Sequence, residues 1–358
     1  MDNPWILATT TASPGKNSMN PRRLVQKTLT FDSPERIPRH KGILPWAEEN
    51  FPDFVRRLHD IFPDDIVSAP AVYTRPLKTR GERYKKGTYT DEWGCFFTNP
   101  LDGVIGIVQT PLVSGWRDLE KFEPPDATLS LDREAINAFC RETDRFVLMG
   151  SFVRPFERLQ FVRTMENALI DLVEKPPELY VLLDKIHQHY LKEVKAWAET
   201  DVDAISVMDD WGTQKGLIAS PDVFRQIFLP MYEDYAEIAR HHGKYLFMHS
   251  DGYIMDIIPD LIEAGVDALN AQIFCMGIEE LGERYRGKLT FWGEIDRQTL
   301  LPHGSIEDIR QAVYAIWHHL YQEGGVIGQC EFGLEANPEN VFAVYETWDT
   351  LSRKGRGE

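Results

Sequence analysis

The feature that most constrains this chain is an alternation between short apolar runs, too brief for a helix, and segments with helical spacing. The runs are residues 146–151 (FVLMGS), 204–208 (AISVM), 245–249 (YLFMH), 266–270 (VDALN), 289–293 (LTFWG) and 326–330 (VIGQC). Each ends at a polar residue or glycine that opens a loop. Between them, residues 165–172 and 179–198 carry apolar side chains three and four apart. Residues 221–242 begin at Ser220 and Pro221, an N-cap followed by a proline that suits the first helical turn. Residues 253–264 stop at Gly265, and residues 306–321 stop near Gly324 and Gly325. Strands alternating with helices make a parallel sheet covered by helices.

Two further short runs, residues 42–44 and 65–68, bring the strands to eight. The expected fold is therefore α/β, a single (β/α)8 barrel with its site at the strand C-termini. A doubly wound sheet is the alternative, but no GxGxxG follows the early strands. Residues 70–125 break the alternation and are expected to form a hairpin-rich insertion near the barrel mouth. Residues 1–20 read as a loose arm, 21–352 as the barrel and 353–358 as a frayed tail.

With 43% hydrophobic and 11% aromatic residues in 358, the chain can bury a large core, which excludes disorder for most of it. Its net charge of −17 argues against nucleic acid or anionic lipid as the main partner, because both are bound by clustered Lys and Arg. No run is long and apolar enough to span a membrane, and the N-terminus lacks the basic-then-apolar pattern of a secretory signal. Cys95, Cys140, Cys275 and Cys330 are far apart with no CxxC pair, so a reducing cytoplasm is the expected location. A homodimer is the expected assembly.

The strand ends hold the candidate chemistry. Asp209 and Asp210 follow the 204–208 run, with Trp211 and Gln214 just beyond. Neighbouring strand residues point to opposite sides, so at most one aspartate of the two faces the axis; adjacent acids there could bind an amine, a pyrrole NH or a metal. His249 and Asp251 share a side and could grip a metal, with Cys330 as a third ligand from the last strand. Glu331 or Glu335 could replace Asp251. Asn270 and Gln272 could orient a ligand, and Glu294 stands at the end of the 289–293 run. Arg154, Arg158 and Arg163 are the candidates for gripping a substrate carboxylate, which guanidinium binds in a fork.

The order of these motifs resembles the uroporphyrinogen decarboxylase superfamily from about Arg22 to Trp348. Residues 34–38 (PERIP) are similar to its entry into the first strand, and residues 89–94 (YTDEWG) to the hairpin of its non-haem branches. Met208 to Gly212, then Ser220, Pro221, Phe224, Arg225 and Pro230, resemble the signature after a central strand. His249 to Gly252, Gly293 to Asp296 and Pro338 to Asn340 follow in the expected order. The resemblance implies a (β/α)8 barrel but more than one reaction.

The family's true decarboxylases act without a cofactor and hold their substrate's carboxylates through an arginine-rich segment after the entry strand. The matching residues 40–46 (HKGILPW) contain no arginine. In the corrinoid-dependent methyltransferase branch, zinc is bound through an H-x-C … C pattern. His249 matches its histidine and Cys330 its last cysteine, while Asp251 stands where the first cysteine would be. The reading these residues favour is a zinc-dependent methyltransferase acting with a partner protein that carries cobalamin. There Asp209, Asp210 and Arg154 would serve catalysis. Arg158, Trp211, Gln214, Asn270, Gln272 and Glu294 would hold a small-molecule or tetrapyrrole substrate. The alternatives are a metal-free decarboxylase of uroporphyrinogen or a related aromatic or pyrrolic acid, and a barrel that binds a tetrapyrrole or corrinoid protein without turnover.

Overall fold

The computed structural model describes residues 20–354. Twelve strands are defined among them: β1 (Gly42–Ile43), β2 (Ile66–Ser68), β3 (Gly87–Thr90), β4 (Phe96–Asn99), β5 (Ile107–Thr110), β6 (Phe146–Leu148), β7 (Ala204–Met208), β8 (Tyr245–Ser250), β9 (Ala268–Ala271), β10 (Thr290–Trp292), β11 (Val326–Ile327) and β12 (Glu331–Phe332). Seven pair in parallel in the order β11-β10-β9-β8-β7-β6-β2. The gap between β2 and β11 is crossed by the segment leading into β1. Its Arg39 carbonyl accepts from Asp65, its His40 N–H donates to Gly328, and Gly42 pairs with Glu331 on β12. All eight runs read from the sequence are used, and the result is a (β/α)8 barrel.

Alternation along the strands sorts the core into two. Phe146, Leu148, Ala204, Phe247, Ala268, Trp292 and Ile327 form one cluster, which fills the barrel lumen. Val25 and Leu29 join it from the helix Pro21–Leu29, which lies across the N-terminal end of the barrel. The intervening residues, such as Val147, Ile205, Val207, Leu246, Met248 and Leu269, pack outward against the helix layer. The helices carry the expected stops and starts. Ser305 and Asp308 form a capping box on Ile306–Leu320, and Gly265 closes Ile258–Ala264 in the left-handed region. The expected helix after Ser220 contains a π turn, Phe224–Phe228, ending two residues before Pro230, which has no N–H to continue the α pattern. The insertion forms an antiparallel sheet of β3, β4 and β5, with Val113 beyond it bonded to Val162. No helix among the described residues is long and apolar enough to cross a membrane.

Candidate metal centre at the barrel mouth

The phase that puts Phe247 in the lumen puts His249 there too, and parallel pairing sets Met208 opposite His249. Two steps further on, Asp210 lies beside Asp251, whose backbone N–H donates to Asp210 Oδ1 at 3.0 Å. The two loops then cross at Gly212 and Gly252. Gly212 donates to the Asp251 carbonyl at 3.0 Å, and a Cβ on Gly252, at φ +80°, would sit 2.3 Å from the Gly212 carbonyl carbon. Both the left-handed backbone and the close approach require glycine there.

This assembles a compact group. His249 Nε2 is 3.5 Å from Asp210 Oδ1 and 3.5 Å from Asp251 Oδ1. Among the described residues, these three are the His, Cys, Asp and Glu side chains whose ligand atoms converge, all within 4.8 Å of one another. Asn270, buried on β9, orients the ring. Its Nδ2 donates to the Trp292 carbonyl, so its Oδ1 faces His249 Nδ1 at 2.5 Å and accepts that hydrogen. The neutral imidazole therefore offers its Nε2 lone pair to the space between the carboxylates. An imidazole backed by an amide and two carboxylates suits zinc or a similar divalent cation. Without such a cation the ring is held protonated, at about 9. Burial alone would lower this value, but Asp251, then Asp210 and Glu294, outweigh it.

Arg297, which follows β10, ties the surrounding acids together. It pairs with the second oxygen of Asp251, with Glu331 at 2.7 Å and, at 3.9 Å, with Glu294. Glu294 is almost fully buried, and its Oε2 has no hydrogen-bond partner. Burial pushes its carboxyl up to about 7, against the opposing pull of Arg297 and His249. A cavity of about 240 Å³ opens beside it, lined also by Gln214 and Gln272, whose side-chain amides meet at 2.6 Å.

Several residues expected at the site lie elsewhere. Asp209 follows the outward phase of Ile205 and Val207 and is fully buried. It accepts from the Phe156 and Glu157 backbone N–H groups at 3.0 and 2.8 Å and from the Tyr232 hydroxyl at 2.7 Å, so it anchors the helix Pro155–Arg163. Trp211 is core: it stacks on Phe156 at 4.0 Å and donates to Tyr232 at 2.9 Å. Asn270, by contrast, lies at the site, against His249 Nδ1. Cys330 is buried against the Tyr345 hydroxyl, 3.6 Å from its sulfur, and burial pushes its thiol up to about 12. Neither Cys330 nor the exposed Glu335 joins the ligand group.

Arg158 is locked against the insertion, paired with Asp91 at 2.6 Å and lying over Trp93 at 4.5 Å, and Arg163 is paired with Asp171 at 2.7 Å. Arg154 remains at the mouth. It contacts Met208 Sδ at 3.3 Å, and Glu157 at 3.4 Å. Arg297, Glu157 and the buried Glu193 were not singled out by the sequence. Only Arg297 carried a signal, as the residue after the Gly293–Asp296 strand end.

The fold and the site define a (β/α)8 barrel with one histidine and two carboxylates converging at its mouth. The uroporphyrinogen decarboxylase (URO-D) family model matches residues 94–351, and the chain belongs to that family. Among solved structures, the chain is similar to a methyltransferase from Methanosarcina mazei, with a TM-score of 0.69 and 17% identity over 93% of this chain and 99% of that one. DHPS from Yersinia pestis aligns with a TM-score of 0.34 and 10% identity over 88% of this chain and 95% of that one. No curated protein sequence matches the chain.

Proposed function

We propose that this chain is a zinc-dependent methyltransferase that exchanges a methyl group with a corrinoid carried by a partner protein. The observation that supports it is the His249–Asp210–Asp251 group, with Asn270 fixing the histidine so that Nε2 faces both carboxylates. His249 Nε2, Asp210 Oδ1 and Asp251 Oδ1 would hold the metal, which supplies Lewis acidity toward a methyl acceptor or donor atom. Arg297 holds the second oxygen of Asp251 and so keeps Oδ1 turned toward His249. Glu294, the buried acid beside this group, is placed to keep or give a proton near neutrality. The fold likeness to the Methanosarcina mazei methyltransferase is consistent with this reading.

Decarboxylation of a porphyrinogen draws less support. Asp210, Asp251, Glu294 and Glu331 surround the mouth with Arg297 among them, a poor receptor for a substrate with many carboxylates. The test is metal content of protein purified without chelator, together with methyl transfer between methylcobalamin and a thiol acceptor. About one equivalent of metal, lost together with transfer in His249→Ala, supports the proposal. Full transfer by metal-free His249→Ala protein ends it.

A further inference from the structure

A second cavity, of about 260 Å³, lies between the insertion and the end of β6. Its walls come from Tyr89, Trp93 and Phe97 on one side and from Gly150, Ser151 and Phe152 on the other. Arg154 lines it as well, and its guanidinium touches Met208, the strand partner of His249. The cavity thus opens one strand away from the candidate metal centre. It is too small for a tetrapyrrole and about right for one substituted ring, since drug-sized ligands need about 300 Å³ or more.

From this cavity we infer a substrate class: a compact, single-ring aromatic carboxylate, its ring between the insertion aromatics and Phe152 and its carboxylate on Arg154. The inference rests on reading the Asp210–His249–Asp251 group as the reacting centre. Three observations carry it. First, the lining is aromatic on both walls, which favours a flat ring over an aliphatic chain. Second, a guanidinium already lies over one face of several of these rings, so the cavity walls carry positive charge. Arg158 lies 4.5 Å from the Trp93 ring and 5.4 Å from Phe161, and Arg154 lies 5.8 Å from Phe152. A methylammonium ligand would meet like charge there, whereas an anion would not.

Third, the charges favour one anion. Arg83, Arg154 and Arg158 line the cavity with Asp91, Glu92 and Glu193. Arg158 and Asp91 cancel as a pair at 2.6 Å. Glu193 accepts from Ser151 at 2.6 Å, and burial pushes its carboxyl up to about 7, which removes much of its charge at neutral pH. Of the three arginines expected to grip a carboxylate, Arg154 has the loosest carboxylate contact, 3.4 Å to Glu157, against 2.6 Å for Arg158 to Asp91 and 2.7 Å for Arg163 to Asp171. Its guanidinium keeps donors free for a fork to a ligand.

The test is calorimetric titration of metal-free protein with benzoate and 4-methoxybenzoate, with cyclohexanecarboxylate, benzyl alcohol and benzylammonium as comparators. Both aromatic acids should bind, and cyclohexanecarboxylate should bind about 2–10-fold more weakly. Arg154→Gln should weaken benzoate by about 10–100-fold while leaving benzyl alcohol unchanged, and Arg154→Lys should recover part of the loss. Phe152→Leu tests the ring wall without touching the arginine and should narrow the preference for benzoate over cyclohexanecarboxylate. Tighter binding of benzylammonium than of benzoate, or benzoate affinity indifferent to Arg154→Gln, overturns the inference. Because no metal or turnover is involved, loss of methyl transfer with benzoate binding intact would fault only the proposed function. Metal and transfer without benzoate binding would fault only this inference.

Discussion

Asp209 and Asp210 are adjacent acids with opposite tasks, and substituting the first gives the sharpest check on that assignment. Asp209 offers two carboxylate oxygens to three buried donors: Glu157 N–H on Oδ1, and Phe156 N–H with the Tyr232 hydroxyl on Oδ2. Asparagine keeps the shape but has one acceptor. If its NH2 takes the Oδ1 place, the Glu157 N–H meets a donor; in the other orientation Phe156 does, and Tyr232 must turn. One buried N–H is stranded in either case, at about 1–3 kcal/mol. Asp209→Ala strands all three donors, at about 3–9 kcal/mol, and also frees the Tyr232 hydroxyl that accepts from Trp211.

Urea unfolding followed by tryptophan fluorescence reads this directly. The midpoint should fall in the order wild type, Asn, Ala, with the slope unchanged. Metal stoichiometry of the folded Asp209→Asn protein should stay at the wild-type value, since Asp209 points into the helix layer. Asp210→Asn should do the reverse: little change in the midpoint, because this side chain is partly exposed, and weakened metal binding. An Asp209→Asn protein that keeps its midpoint but loses its metal would refute the reasoning, because the carboxylate would then be acting at the mouth.

Three further outcomes follow from the same geometry. His249 must lose its proton to ligate, and with its value raised to about 9, metal binding at pH 7 should release about one proton and strengthen about tenfold per pH unit up to that point; titration in two buffers of different ionisation enthalpy measures the release. Cys330→Ala should retain the metal of the wild-type protein and lose only about 1–2 kcal/mol of stability, from a small buried void; metal loss in this variant would return Cys330 to the ligand set. Glu193 holds its proton up to about 7 in the folded chain but only to 4.5 when unfolded, so folding is favoured below that lower value and the advantage drains away as pH rises from 4.5 to 7. The swing is about 3 kcal/mol, and Glu193→Gln should flatten that part of the stability profile.

The barrel was legible because its signal is periodic. Eight apolar runs of strand length, interrupted by capped helical segments, leave few other architectures, and the runs end where the loops begin. Phase along those runs also carried part of the site. His249 shares the lumen phase of Phe247, and at most one of Asp209 and Asp210 could face the axis. Which one did so depended on whether Ile205 or Ser206 faces the lumen, and an all-buried strand such as AISVM conceals that choice. Two of the three converging groups, His249 and Asp251, were legible as a pair, but the exclusion of Cys330 was not, for a related reason. Cys330 lies between two short strands where the chain bends past Tyr345, so counting residues from the strand cannot say which way the sulfur points. The three arginines following β6 looked equivalent in sequence. Asp91 and Asp171, distant along the chain or a helix away, decided which two became structural.

The charge at the mouth links the ligand group to the choice of chemistry. Two carboxylates a few ångströms apart repel by about 4 kcal/mol at the effective dielectric of a protein surface, and here Asp210 and Asp251 face each other across one histidine. A fold tolerates that only if cations share the site. The protonated His249 and Arg297 do so in the metal-free chain, and the rise of the histidine to about 9 is the electrostatic measure of that demand. A divalent cation satisfies the same demand more fully, because it can replace the histidine's proton and still neutralise both carboxylates. An entering polycarboxylate would add to the repulsion instead. A single carboxylate is tolerable only on the Arg154 side, where the acids are already paired with arginine or partly protonated. The same distribution of charge therefore favours a cation near His249 and, on the proposed reading, an anion near Arg154, one strand apart at the mouth of one barrel.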